Sequence, residues 1–432
     1  MDQPTLASPD ALPPPAPPPP ALPDGTRFVD AFVIDINGRP RGKRLPARSW
    51  PGVVRDGVGF SASALVLDAR GNSQGPLGIG TADGDPDATA FPVAGMLAPV
   101  PWSEHWVAQS LLSMRDVWFD PRAILQAVID RCRADGLHPV VACELEFYLV
   151  PPDMGAPPRA GHLSLQHLED HAAFLHALHD ALEAQGIPAE TLVSEYGPGQ
   201  FELNLRHTSD PLRAADQAAL QRRATEGVAR AHGARASFMA KPYARHSGSG
   251  LHVHLSMTDA GGRNLFAGEG GEALLHASIA GMQAMHAESM AIFSPSFSAY
   301  RRYRPGAFVS LASSWGENSR AVAFRIPRSP AAARRIEHRV AAADASPHLV
   351  MAAILAAAHH GIVNRLTPVP VAADVPDPAL PRTIFAALDA LERSTLLASY
   401  LPRFLPVFAA VKRGETADLL ADVSPVEHEF YL

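Results

Sequence analysis

Several stretches of the sequence alternate apolar and polar residues with the two-residue period that a β-strand uses to present one face to a core. The sharpest is Leu251-His252-Val253-His254-Leu255-Ser256. It puts His252, His254 and Ser256 on one face and Leu251, Val253 and Leu255 on the other. It follows Gly248-Ser249-Gly250, a glycine pair that lets a ligand approach the backbone. The run HPVVACELEFYLV sets Glu144 and Glu146 against Val141, Cys143, Leu145, Phe147 and Leu149. GQFELNL carries Gln200, Glu202 and Asn204 on one face, with Glu195 just ahead of it. AVAFRIP carries Arg325, and RRIEHRVAAAD sets Arg335, Glu337 and Arg339 on one face.

A strand with one apolar face usually turns the other to water. That explains any single run, and two histidines two residues apart are more often a solvated or hydrogen-bonded face than a ligand pair. It explains the set less well, because a solvated strand favours Thr, Ser and Lys over Glu, His and Arg. If the strands form one antiparallel sheet, five carboxylates and a histidine converge. Clustered carboxylates raise one another's pKa unless cations lie among them. A mostly oxygen ligand set suits Mg2+ or Mn2+ rather than structural zinc, and the ligand count suits more than one ion. Arg302, Arg320, Arg325 and Arg339 suit phosphate and carboxylate groups. Without a GxxxxGKS loop or a nucleophile elbow, metals plus arginines point to phosphoryl transfer from a nucleotide.

The chain of 432 residues is long enough for two or three domains. A net charge of −7 gives no pointer to nucleic acid or an anionic membrane. Two cysteines, Cys132 and Cys143, exclude a disulfide scaffold and read as buried thiols. There is no secretory signal pattern and no apolar run long enough to span a bilayer, so a cytoplasmic location is expected.

In chain order, the proline tract of 1–24 cannot pack a core. Phe28 to Ile34 followed by Asn37-Gly38 predicts a strand and a hairpin turn, with RPRGKRLP as a solvated loop. Short apolar pieces then suggest a small β-rich unit ending near 100–102. Asp120-Pro121 and Asp210-Pro211 predict helix starts, and Gly136 and Gly233 the corresponding ends. Helices are also predicted over 166–185 and about 271–292, a long loop over 300–316, and a mostly helical final hundred residues.

The motifs ELEF at 144–147, EYGPGQFEL at 195–203, KP at 241–242 with GSGLHVHLS at 248–256, RIP at 325–327 and RRIEHR at 334–339 resemble the glutamine synthetase family in order and spacing. DINGRPRGKRLP at 35–46 resembles that family's N-terminal domain. The resemblance implies an α+β chain with three parts. These are a disordered tail over 1–24, a β-grasp domain over 25–115, and a catalytic domain over 116–432 whose antiparallel sheet lines a funnel surrounded by helices. It implies ATP and L-glutamate as substrates and a homo-oligomer of two stacked hexameric rings, a dodecamer with shared sites. By motif, Glu146, Glu195 and Glu202 would hold one metal and Glu144, His252 and Glu337 a second. His254 and Ser256 would face the nucleotide, and Arg320 and Arg325 the transferring phosphate. Arg302 and Arg339 would hold glutamate, with the Gly248 turn lining its pocket. The family chemistry phosphorylates the γ-carboxylate of glutamate, and an amine then displaces phosphate.

Ammonia-using members carry an acid in a PGYE-type flap and another in an FDGS-type N-terminal sequence. Here these stretches read Pro305-Gly306-Ala307-Phe308 and Phe60-Ser61-Ala62-Ser63, and the Asn that normally precedes GSG is Ser247. With Phe308, Ala307 and Ser61 the pocket is less charged and suits a carbon-bearing amine. FSASALVLDARGN followed by Gly78-Ile79-Gly80 resembles the branch that glutamylates polyamines and other alkylamines, so a putrescine-like acceptor is expected. The competing readings are a glutamine synthetase using ammonia, a non-catalytic structural or regulatory relative, and a metal-dependent amidohydrolase built on the HVH pair. The last is disfavoured because the pair lies past mid-chain and the strands recur without regular crossovers.

Overall fold

The computed structural model describes residues 21–74, 78–80, 82–103, 106–151, 162–304 and 306–431. Positions 1–20 of the proline tract and Pro305 of the flap lie outside them.

A first sheet is built from β1 (Phe28–Ile34), β2 (Pro40–Pro46), β3 (Val58–Ser61), β4 (Asp87–Pro99) and β5 (Val107–Ser113), in the order β2-β1-β5-β4-β3. The β1–β5 pair is parallel and the other pairs are antiparallel. RPRGKRLP is therefore strand β2 rather than a loop. Its backbone pairs with β1 from Phe28↔Pro46 to Ile34↔Pro40, so it needs no apolar side chains, and its charges suit an edge position. The sheet also extends past 100–102, through β5.

The second sheet contains β6 (His138–Val150), β7 (Ala189–Ser194), β8 (Gln200–Leu205), β9 (Arg235–Ser237), β10 (Leu251–Thr258), β11 (Trp315–Glu317), β12 (Phe324–Ile326) and β13 (Ile336–His338). The order is β11-β12-β13-β10-β6-β8-β7, with β9 also paired to β6. Only β11–β12 departs from antiparallel pairing.

Helix Pro121–Ala134 begins where Asp120 caps it, accepting from Arg122 N, and Pro211–Ala231 begins where Asp210 accepts from Arg213 N. Gly136 and Gly233 follow in the left-handed region at φ 74° and 70°. The segment 166–185 divides into Leu165–Asp170 and Ala172–Ala184, broken at His171 with φ −115°. The stretch 300–316 is mostly loop but includes the end of a 3-10 turn, Phe297–Arg302, and the start of β11.

Helices Gly271–Phe293 and Pro347–Val363 are buried along most of their length and pack on each other. A Cβ on Gly281 would lie 1.9 Å from Ala357 O, and one on Gly361 1.9 Å from Ala277 O, so the approach requires both glycines. One core cluster runs from β1 through β6, β8 and β10 into the C-terminal helices, and it fixes the apolar face of the second sheet. Cys132 and Cys143 lie buried in it as free thiols. Among the described residues no helix is long and apolar enough to cross a membrane.

Candidate active site

Register assembles the polar face. His252 pairs with Glu144, Glu144 with Asn204, Glu146 with Glu202, His254 with Glu337, and Arg325 with Glu337. Directly opposed residues lie ~5 Å apart at Cβ, so the side chains that alternation sends to this face must meet. His252 Nδ1 is 3.3 Å from Glu144 Oε2, 3.9 Å from Glu202 Oε2 and 4.0 Å from Glu337 Oε1, and its Nε2 is 4.0 Å from Glu146 Oε1. On this wall two triads each have potential ligand atoms within 4.8 Å of one another: Glu144, Glu202 and His252, and Glu144, His254 and Glu337.

This wall separates two cavities. One, of about 800 Å3, is lined by Glu144, Asn204, His254, Ser256, Asn264 and Arg335 among others. The other, of about 670 Å3, is lined by Glu146, Glu195, Glu202, His252, the Ser247–Gly250 turn, Arg302, Phe308, Arg320 and Arg339 among others. Ser61 lines neither: it hydrogen-bonds Ser63 and Asp85 in the first sheet.

The second cavity is held by the turn before β10. Gly250 N donates to Glu146 Oε2 at 3.0 Å, and Gln200 Nε2 bridges Glu146 Oε2 at 3.1 Å and Gly248 O at 3.0 Å. A Cβ on Gly248 would lie 2.6 Å from Arg302 Cγ, so glycine is required for the arginine to cross the turn. Arg302 is 3% exposed; among the described residues it donates only to Val340 O and Ala341 O, and its buried Nε and Nη1 have no partner. Arg339 and Arg325 flank Glu337, and each has an unpartnered buried Nε. Buried N–H groups are costly when unmade, so Arg302 and Arg339 suit an anion in the cavity, while Arg325 lines neither cavity and stands behind Glu337. Arg320 is exposed at the rim.

The charges on the wall are uneven. Burial, then the neighbouring Glu195, pushes Glu146 up to about 8. Burial, then Glu144, Glu146 and Glu195, pushes Glu202 up to about 9. Burial also raises Glu195. Against the effect of burial, hydrogen bonds from His252 and His254 hold Glu144 well below the usual carboxylate range. Burial would raise Glu337 too, but His252 and Arg339 outweigh it and bring it to about 2. Burial and then Arg339 lower His252, which leaves a neutral ring with a lone pair to offer. Acids that cannot all ionise together, beside a neutral imidazole, fit divalent cations bound among them.

Several participants were given no role from sequence: Arg335, although placed on the polar face, and His162 and Tyr196. Arg335 Nε donates to His254 Nδ1 at 3.0 Å, which directs His254 Nε2–H to Glu144 Oε1 at 2.7 Å. Its position two before Glu337 on the same alternating face was the available signal. At the mouth of the second cavity, the His162 and Tyr196 rings stack at 3.9 Å and 7°, and Phe308 lies 5.3 Å from Tyr196. Tyr196 and Phe308 are 49% and 52% exposed, an apolar surface presented to an incoming ligand. His162 Nδ1 is 3.7 Å from Glu195 Oε2. Nothing local in the sequence joins residues 162, 196 and 308.

The model of the glutamine synthetase catalytic domain matches residues 119–431. The gamma-glutamylputrescine synthetase of Escherichia coli is 40% identical over 363 residues, covering 79% of this chain and 77% of that protein. A glutamate–isopropylamine ligase from a Pseudomonas species is 31% identical over 357 residues, covering 78% of each. Among solved structures, ligand-free GmaS superposes with a TM-score of 0.83 at 29% identity, covering 94% of this chain and 97% of that one.

Proposed function

The chain belongs to the glutamine synthetase family, and on that premise we propose that it joins the γ-carboxylate of L-glutamate to an alkylamine of the putrescine kind, with ATP converted to ADP and phosphate. The observation that carries the reading is the wall of Glu144, Glu146, Glu202, His252 and Glu337 between two cavities, with the unpartnered guanidinium nitrogens of Arg302 and Arg339 at the second. The relatives that ligate putrescine and isopropylamine support an organic acceptor over ammonia.

ATP is assigned to the cavity of His254 and Ser256, and glutamate to that of Gly248, Arg302 and Arg339. Glu146, Glu195 and Glu202, and Glu144, His252 and Glu337, would be the ligand sets for two Mg2+ or Mn2+ ions, a division of the wall that differs from its two closest triads by following the motifs. Bound there, the ions would neutralise charge on the phosphates and on the carboxylate. Arg320 and Arg325 take the transferring phosphoryl group.

The γ-carboxylate oxygen attacks the terminal phosphorus and ADP leaves. The amine nitrogen then attacks the acyl carbon, phosphate leaves, and the nitrogen gives up a proton. We assign that proton to His162, which stands beside Glu195. Tyr196 and Phe308 take the amine's carbon chain and, for a diamine, its distal ammonium through their ring faces. In the same reading the protein is cytoplasmic and assembles as two stacked hexamers, with Ser61 of one subunit meeting the cavity of the next.

Mass spectrometry of a reaction containing ATP, glutamate and putrescine tests the reading. It expects the mass of γ-glutamylputrescine in proportion to the phosphate released. Phosphate released without any γ-glutamyl amide, from putrescine or another alkylamine, would reject it.

A further inference from the structure

A third cavity, of about 480 Å3, lies where the turn between β1 and β2 meets helices Pro211–Ala231 and Phe404–Ala421. It shares no lining residue with the other two. Its charges fall into two groups. Arg41 is paired with Asp35 at 2.8 Å, Arg223 with Asp30 at 2.8 Å, and Lys412 with Glu415 at 3.1 Å. Arg39, Arg222, Glu226 and Asp344 face the same space, yet among the described residues none has an ion-pair partner within 4.0 Å.

Arg222 is 6% exposed. Its Nη2 donates to Ala343 O at 2.6 Å and Ala345 O at 2.9 Å, its Nη1 to Asn37 O at 3.4 Å, and its Nε is buried without a partner. Asp344 Oδ2 accepts from Ser296 Oγ at 2.6 Å, while its buried Oδ1 has no partner among the described residues. Phe238 and Met239 form an apolar side of the cavity, and Met239 is 42% exposed.

Leaving a buried guanidinium without a carboxylate is costly. Two cations and two acids around one space, close but not touching, match a ligand that carries both signs. A dianion would be repelled by Glu226 and Asp344, and a diamine by Arg39 and Arg222. The volume is in the range of small-molecule sites, ~300–1,000 Å3.

We propose that this cavity binds an α-amino acid with an apolar side chain. The carboxylate meets Arg39 and Arg222, the ammonium meets Glu226 and Asp344, and the side chain lies against Phe238 and Met239.

The test is calorimetric binding of L-leucine and L-methionine to the whole protein with saturating L-glutamate present. At least one of the two binds saturably, one molecule per chain. Binding weakens about tenfold or more in Arg39→Ala and in Glu226→Gln, a loss of about 1.4 kcal/mol. Neither side chain makes a hydrogen bond among the described residues, and unchanged thermal unfolding verifies that both variants fold. The variants, rather than the added glutamate, locate the site, so the result stands apart from the ligase reading. Three outcomes overturn the proposal: neither amino acid binds, both variants bind as the wild type does, or succinate or butylamine binds as tightly as the amino acid.

Discussion

His252 Nδ1 lies 3.3 Å from Glu144 Oε2 across the β10–β6 register. The contact is the hinge of the polar wall: Glu144 accepts from Asn204 and His254 on one side, and His252 approaches Glu202, Glu337 and Glu146 on the other. Such a cluster is held at a cost unless cations enter it. Addition of Mg2+ or Mn2+ to chelator-treated protein therefore raises the unfolding temperature, and His252→Ala loses most of that rise. Scanning calorimetry with and without metal measures both, and a metal-independent Tm would contradict the ligand assignment.

Arg302 offers two unpartnered buried nitrogens to the second cavity. Arg302→Lys keeps a charge but loses the planar fork. A lost charge-assisted hydrogen bond costs ~1.5–3 kcal/mol, so KM for glutamate rises about ten- to a hundredfold while KM for ATP changes little. Equal rises in both constants would remove Arg302 from the glutamate pocket.

The Tyr196–Phe308 surface is the proposed seat of the acceptor's carbon chain. Phe308→Ala removes a ring contact worth ~0.5–1.5 kcal/mol beyond its area, so KM for the alkylamine rises several-fold, with KM for glutamate nearly constant. His162→Phe keeps a ring on Tyr196 and removes the proton acceptor. It lowers kcat ~100-fold or more at neutral pH, and the loss shrinks as pH rises and hydroxide can take the proton in its place. A pH-independent loss would make His162 a stacking residue only.

His286 is buried against Ser313 Oγ at 2.9 Å, and burial lowers its pKa from 6.5 to about 4. Above pH 6.5 it is neutral in both folded and unfolded chains. Between 6.5 and about 4 the unfolded chain takes up a proton that the folded chain refuses, so stability falls as pH falls. The depression is worth about 3 kcal/mol. Denaturant unfolding at pH 7 and pH 5 shows about 2 kcal/mol of it, and His286→Gln removes that part of the pH dependence.

Alternation made the wall legible. In β6 and β10 the apolar residues Val141, Cys143, Leu145, Val253 and Leu255 are buried, and Glu144 and His252 face the other way, as a period of two requires. Even three-residue strands such as β13 kept that phase, because Glu337 must sit opposite His254. Edge strand β2 was legible only through the Asn37-Gly38 turn before it, since its own residues pair by backbone rather than by apolar side chains. The break at His171 was hidden by continuous helical patterning on both sides. The aromatic mouth and the third cavity are assembled from segments far apart in the chain, and no local period marks such meetings.

The most direct test of the central claim is phosphate release from ATP and glutamate across ammonium, methylamine, ethanolamine, putrescine, spermidine and an aromatic amine. Strong turnover with putrescine or another alkylamine and little with ammonium is expected. Turnover with ammonium that exceeds every organic amine would contradict it.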